Sequence, residues 1–150
     1  MVYSGEPGDT VQFSEYVERN IKLYSMRTGI QLSPKAVASF TRRELADSLR
    51  SRKPYHINVL IAGTQKSGVP EIYWIDYIAN MVPLKFAAHG HASYFCMSLL
   101  DRYWQPGMDV AQVKQVMRKC LAALKTRYIA NLPTFNINLV TKEGIKEIEL

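Results

Sequence analysis

Residues 32–63 read LSPKAVASFTRRELADSLRSRKPYHINVLIAG, and the change of pattern inside this stretch decides the fold class. Ser33 is a natural helix cap, and Pro34 fits the first helical position, where its missing N–H costs nothing. Val37, Phe40, Leu45 and Leu49 recur at helical spacing and are expected to face inward. Pro54 stops the pattern. From His56 the residues become almost wholly apolar and β-branched, as in a strand covered on both faces. A helix feeding such a strand, with one break between them, calls for helices layered on a sheet.

Working outward, DTVQ at 9–12 suggests an earlier helix, with Asp9 as N-cap and Gln12 completing a capping box. Phe13, Val17, Ile21 and Tyr24 form its stripe, with Tyr16 and Leu23 off it, and Gly29 ends it. Downstream of the apolar strand, KSGVP is a turn and EIYWIDYIA a second strand. MVPLKFAA is a third, irregular one, with Pro83 at an edge. ASYFCMSLLDRYW is helical, with Ala92, Cys96, Leu99 and Tyr103 on one face. After QPGM, DVAQVKQVMRKCLAALKTRY is a second helix with an Asp109–Gln112 capping box and a stripe of Val113, Met117, Cys120, Leu124 and Tyr128. TFNINLV, the turn TKEG and IKEIEL close the chain as a hairpin with one covered face. Helix pair, strands, helix pair, hairpin is an α+β order. Without repeats, low-complexity segments or a linker, residues 1–150 are expected to form one domain.

Hydrophobic residues make up 47% and charged residues 21% of the chain, which is globular composition and excludes a disordered tail. No transmembrane run or signal-peptide pattern is present. Cys96 and Cys120 both fall on apolar helix faces, the pattern of buried thiols in a reducing, intracellular setting rather than of a disulfide framework. The net charge of +6 includes a basic stretch from Arg50 to Lys53, with Arg42 and Arg43 a helical face earlier. No aromatic-plus-basic motif accompanies it, so no nucleic-acid partner is expected; a stand-alone binding module using that basic face is the alternative reading.

GEPGDTVQFSEY, residues 32–63, FAAHG and NLPTF together resemble proteasome beta subunits, most closely the non-catalytic kind, along the whole chain. The resemblance implies the four-layer α/β/β/α sandwich of N-terminal-nucleophile hydrolases. It also implies a place in stacked seven-membered rings with other beta and alpha subunits, in cytoplasm and nucleus, in ubiquitin-dependent protein degradation. Family members carry about 50 residues ahead of the segment matching SGEPGD, room for several strands at typical length. MVYS then resembles the end of the last of these, a strand with no partner left. The expectation is an N-terminally shortened chain, whether by truncated gene model, alternative start or fragmentation, with HINVLIAG beside the gap.

Catalytic relatives use an N-terminal threonine whose own amine serves as base. Here Met1 stands first, and Thr10 falls in the first turn of a helix. Where active relatives have Gly-Ser-Gly, this chain has Gly90, His91 and Ala92. Where they have Asp-x-x-Ser, it has Ala130, Asn131, Leu132 and Pro133. The resemblance therefore implies no catalytic residues and a structural subunit; an active threonine peptidase matured from a longer precursor is the alternative. His89 and His91 lack a third ligand at metal spacing, so no metal or other cofactor is expected. Glu71, Asp76 and Asp101 have nothing to gather two of them into an acid–base pair. AGTQKSG lacks the glycines and the Lys-Ser ending of a phosphate loop. Gly63, Thr64 and Gln65 stand where relatives often have Gly-Tyr-Asp.

Overall fold

The computed structural model describes residues 1–132 and 134–150. The chain divides into two compact units, Met1–Lys85 and Phe86–Leu150. Both mix or flank helices with antiparallel sheet, as the α+β order requires.

The first unit carries β1 (Val2–Gly5), α1 (Pro7–Thr28), α2 (Pro34–Ser48), β2 (Ile57–Thr64), β3 (Pro70–Ile75) and β4 (Met81–Leu84). Its strands form one antiparallel sheet in the order β1-β2-β3-β4. The N-terminal strand, expected to be partnerless, pairs with β2: Val2 faces Leu60 and Gly5 faces Ile57. HINVLIAG therefore lies in the interior of the sheet, between β1 and β3, and not beside a gap. The partner strand comes more than 50 residues later in sequence, which no local pattern announces. Pro83 sits on the edge strand β4, opposite Tyr73, where its missing N–H is tolerated.

Burial of β2 alternates. Ile57, Val59 and Ile61 are buried, whereas Asn58 and Leu60 are only partly so, which corrects the reading of a strand covered on both faces. The buried positions meet Tyr73 and Ile75 of β3 and, from above, Phe13 and Val17 of α1 with Ala38 and Leu45 of α2. Each fully buried large side chain of this set is worth roughly 1.5–3 kcal/mol. The inward face of α2 is Pro34, Ala38, Thr41 and Leu45; Val37 and Phe40 are partly buried, and Leu49 lies beyond the helix end, 38% exposed. Ser33 accepts the Ala36 N–H as expected, but the helix ends at Ser48, six residues short of Pro54.

Two close approaches explain two glycines. Gly5 has φ +146°, and a Cβ there would lie 2.2 Å from the His56 carbonyl oxygen. That carbonyl also accepts the Glu6 N–H at 3.0 Å, so the chain turns from β1 into α1 against the start of β2. At Gly63 a Cβ would stand 2.7 Å from Pro34 Cγ, so the glycine lets the start of α2 rest on the sheet.

The helix α1 begins earlier than the capping pattern at Asp9 suggests. Pro7 takes the first turn with Glu6 as N-cap, because its fixed φ already suits a helix. Asp9, freed from capping, is 5% exposed and accepts the backbone N–H of His56 at 3.1 Å. Gly29 closes the helix in left-handed conformation.

The second unit carries α3 (Ser93–Tyr103), α4 (Val110–Arg127), β5 (Asn138–Thr141) and β6 (Gly144–Glu147). The capping box of Asp109 and Gln112 is formed on both sides. The core is Cys96, Val116, Cys120 and Leu124, with Phe95, Leu99, Tyr103 and Tyr128 packed against it. Val116, 7% exposed, replaces Val113, 45% exposed, as the inward valine. Both belong to helical series that pass through Cys120 and Leu124, and only packing against α3 separates them. The TKEG turn joins β5 and β6, with Thr141 opposite Gly144.

Candidate functional site

The turn that carries Gly90, His91 and Ala92 lies against the exit of α4, two residues before Ala130. Gly90, in left-handed conformation, turns the chain into α3 and accepts hydrogen bonds from the Ser93 N–H at 3.1 Å and the Ser93 hydroxyl at 2.7 Å. That turn presents His91 at the surface. Its ring stacks on Tyr128 at 6.3 Å between centroids and 26° between planes. Phe95, a turn further along α3, meets the same Tyr128 ring edge-on at 5.9 Å. Tyr128 is the residue at which α4 ends, its N–H bonded to the Leu124 carbonyl. Two positions later the chain exposes Ala130, Asn131 and Leu132. Pro133, the fourth residue of that segment, lies outside the described residues.

An open cleft of about 430 Å³ adjoins this place, lined by Leu121, Leu124, Tyr128, Ala130, Asn131, Leu132 and Phe135 among others. Among its described lining there is no serine, threonine, cysteine, histidine or carboxylate. Acyl transfer needs an activated nucleophile within hydrogen-bond reach of a base. The lining is mainly apolar, with Lys125 and Asn131 as its charged and amide members.

The other sequence candidates are dispersed. Thr10 is buried in the first turn of α1, where its amide donates to the Glu6 carbonyl at 2.9 Å and its hydroxyl to the Pro7 carbonyl at 3.0 Å. Both atoms that a threonine nucleophile would need are thus engaged by the helix. Asp76 closes a tight loop: its Oδ1 accepts from the N–H groups of Ile78 and Asn80, at 3.1 and 2.8 Å. Glu71 accepts from the Gln65 amide across the β2–β3 hairpin, in the AGTQKSG turn, and lies near Tyr73. Burial first, and Glu71 second, push the Tyr73 hydroxyl above its ordinary value. Asp101 is exposed on α3. Among the described residues, no group of three or more His, Cys, Asp or Glu is arranged to hold a metal ion.

The basic face is partly spent within the fold. The Arg42 Nε donates to the Ala79 carbonyl at 3.1 Å, and Arg43 lies 4.0 Å from Asp47. Arg50, Arg52 and Lys53 stand exposed past the end of α2. The partners that the sequence did not reveal are nonlocal: Tyr128 for His91, Ala79 for Arg42, and Asn58, whose side chain accepts the Tyr77 N–H at 3.0 Å. An aromatic residue at a helix end was the only visible trace of the first of these. Among the described residues, no helix is long and apolar enough to cross a membrane.

Comparison with known proteins gives a consistent answer. The family model for proteasome subunits matches residues 1–140. The chain is 49% identical to the probable proteasome subunit beta type-4 of Meyerozyma guilliermondii, over 99% of this chain and 78% of that protein. It is 43% identical to the proteasome subunit beta type-4 of Saccharomyces cerevisiae, over 99% of this chain and 76% of that protein. Against the proteasome subunit beta type-2-B of Arabidopsis thaliana the identity is 44%, over 96% of this chain and 72% of that protein.

Proposed function

This chain belongs to the proteasome subunit family, and we propose that it serves there as a structural, non-catalytic beta subunit of the core particle. It assembles with other beta and alpha subunits, as its likeness to beta type-4 and type-2 subunits along nearly its whole length supports. In this reading residues 1–150 form part of one family domain, the α/β/β/α sandwich, and the particle works in cytoplasm and nucleus. The subunit fills one ring position, contributes to the wall of the degradation chamber and supports its catalytic neighbours without cleaving peptides itself.

The observation that carries the non-catalytic reading is the His91–Tyr128 stack. At the former serine position an imidazole packs on a tyrosine ring, and the nearby acid position is the methyl group of Ala130. A threonine nucleophile also needs a free amine as base, whereas the Thr10 amide is bonded into a helix. The test is labelling of the assembled core particle with a threonine-directed electrophile, followed by peptide mapping of this subunit. The expected result is label on neighbouring subunits and none on any hydroxyl of this chain. Label on Thr10, or on any hydroxyl here, overturns the reading.

A further inference from the structure

We propose that Cys96 and Cys120 form an oxidisable dithiol which peroxide closes into a disulfide stapling α3 to α4. The two thiols come from neighbouring helices and lie in one buried apolar cluster with Val116 and Leu124, where each bears on the other's ionisation. Both are free cysteines, 8% and 2% exposed. The helices run in opposite directions: Phe95 near the start of α3 meets Tyr128 at the end of α4, and Lys119 lies over the ring of Tyr103 at the end of α3. A cross-link at Cys96–Cys120 therefore joins the first turn of one helix to the interior of the other, closing the connection between them into a loop. Its product is neutral and apolar, which suits this core better than a thiolate would.

The roles of the sulfurs differ. Cys96 is the more accessible; burial holds its thiol above the ordinary value, and the neighbouring Cys120 offsets part of that rise. Burial, then the neighbouring Cys96, pushes the Cys120 thiol up to about 11. Cys96 is accordingly the attacking sulfur. Its thiolate attacks one oxygen of hydrogen peroxide, the O–O bond breaks, and a sulfenic acid and one water result. The Cys120 sulfur then displaces the sulfenic oxygen, forming the S–S bond and releasing a second water. Two thiols are oxidised and one peroxide is reduced to two waters. Because both thiols are held in the protonated form, the reaction is slow at neutral pH and accelerates as pH rises. The pair stays reduced until a peroxide challenge.

The experiment treats the purified folded protein with hydrogen peroxide at several pH values, then blocks free thiols and digests with trypsin under non-reducing conditions. Expected is a reductant-sensitive link between peptides 86–102 and 120–125, with the intact chain lighter by two hydrogen atoms and faster closure at higher pH. In Cys120→Ser a sulfenic-acid trap should label Cys96; in Cys96→Ser it should leave Cys120 unlabelled. A link between copies of the chain, a link seen only in denaturant, sulfinic acid without any disulfide, or free thiols throughout each overturns the proposal. The reverse trapping pattern overturns the order of attack. The unmutated protein alone decides whether the disulfide forms, so a variant that fails to fold leaves the main result intact.

Discussion

His91 and Tyr128 stack ring on ring, 6.3 Å apart, across the point where α3 begins and α4 ends. Tyr128 holds Phe95 on another side of the same ring, so one half-buried tyrosine joins the turn before α3 to the exit of α4. Aromatic pairs of this geometry add about 0.5–1.5 kcal/mol each beyond the area they bury. Tyr128→Ala should therefore cost about 2–4 kcal/mol, while His91→Ala costs under about 1 kcal/mol because His91 is exposed. Tyr128→Phe should be nearly neutral. Urea unfolding of the three variants checks the ranking; equal losses for His91→Ala and Tyr128→Ala would remove Tyr128 from its central place.

Asp9 joins α1 to the beginning of β2 through the His56 N–H, a bond 47 residues long in sequence. Removing its carboxylate leaves a backbone donor without its acceptor in a partly buried setting. Asp9→Ala should cost about 1–3 kcal/mol, and Asp9→Asn less, because its amide oxygen still accepts. If Asp9 instead served as an exposed cap, serine at this position would restore full stability. Equilibrium unfolding of Asp9→Ala, Asp9→Asn and Asp9→Ser separates the two cases, with Ser expected to fall short.

The inward phase of α4 can be tested with two valines. Val116→Ala removes buried methyl groups and should cost about 1–3 kcal/mol, whereas Val113→Ala should change stability by less than about 0.5 kcal/mol. Thermal melts of both variants are sufficient. The opposite ranking would mean that the helix is rotated by about 60° from the arrangement described.

Alkaline pH should weaken the α3–α4 unit. The folded-state Cys120 thiol is pushed up to about 11, above its ordinary value, by burial and by Cys96. Below the unfolded-state value the thiol is protonated in both states and its contribution is fully present. As pH rises from the unfolded value of about 9 towards 11, only the unfolded chain gives up the proton, so stability falls and then levels off. Urea midpoints under reducing conditions should decline across that window, and Cys120→Ala should flatten the decline. A curve of unchanged slope in the variant would assign the loss to other groups, such as Tyr73, whose hydroxyl is also raised.

Features that depend on neighbours within a few residues are legible in the amino-acid order. Ser33 with Pro34, Asp109 with Gln112, Gly29 after α1 and the TKEG turn all do in the structure what their residue types require, because caps and turns are satisfied within one turn of chain. The family, too, was legible, since long stretches of residues carry it. The candidate site was only half legible: replacements such as His91 and Ala130 could be named, but not that His91 would rest on Tyr128. Tertiary structure decided the remainder. It gave β1 its partner in β2, turned Asp9 from a supposed cap into an acceptor for His56, chose Val116 over Val113, and set Cys96 against Cys120. Each of these outcomes hangs on which surface arrives from a distant part of the chain. A helical stripe or a lone carboxylate is compatible with several such arrivals, and only the packing free energy of the assembled core selects one.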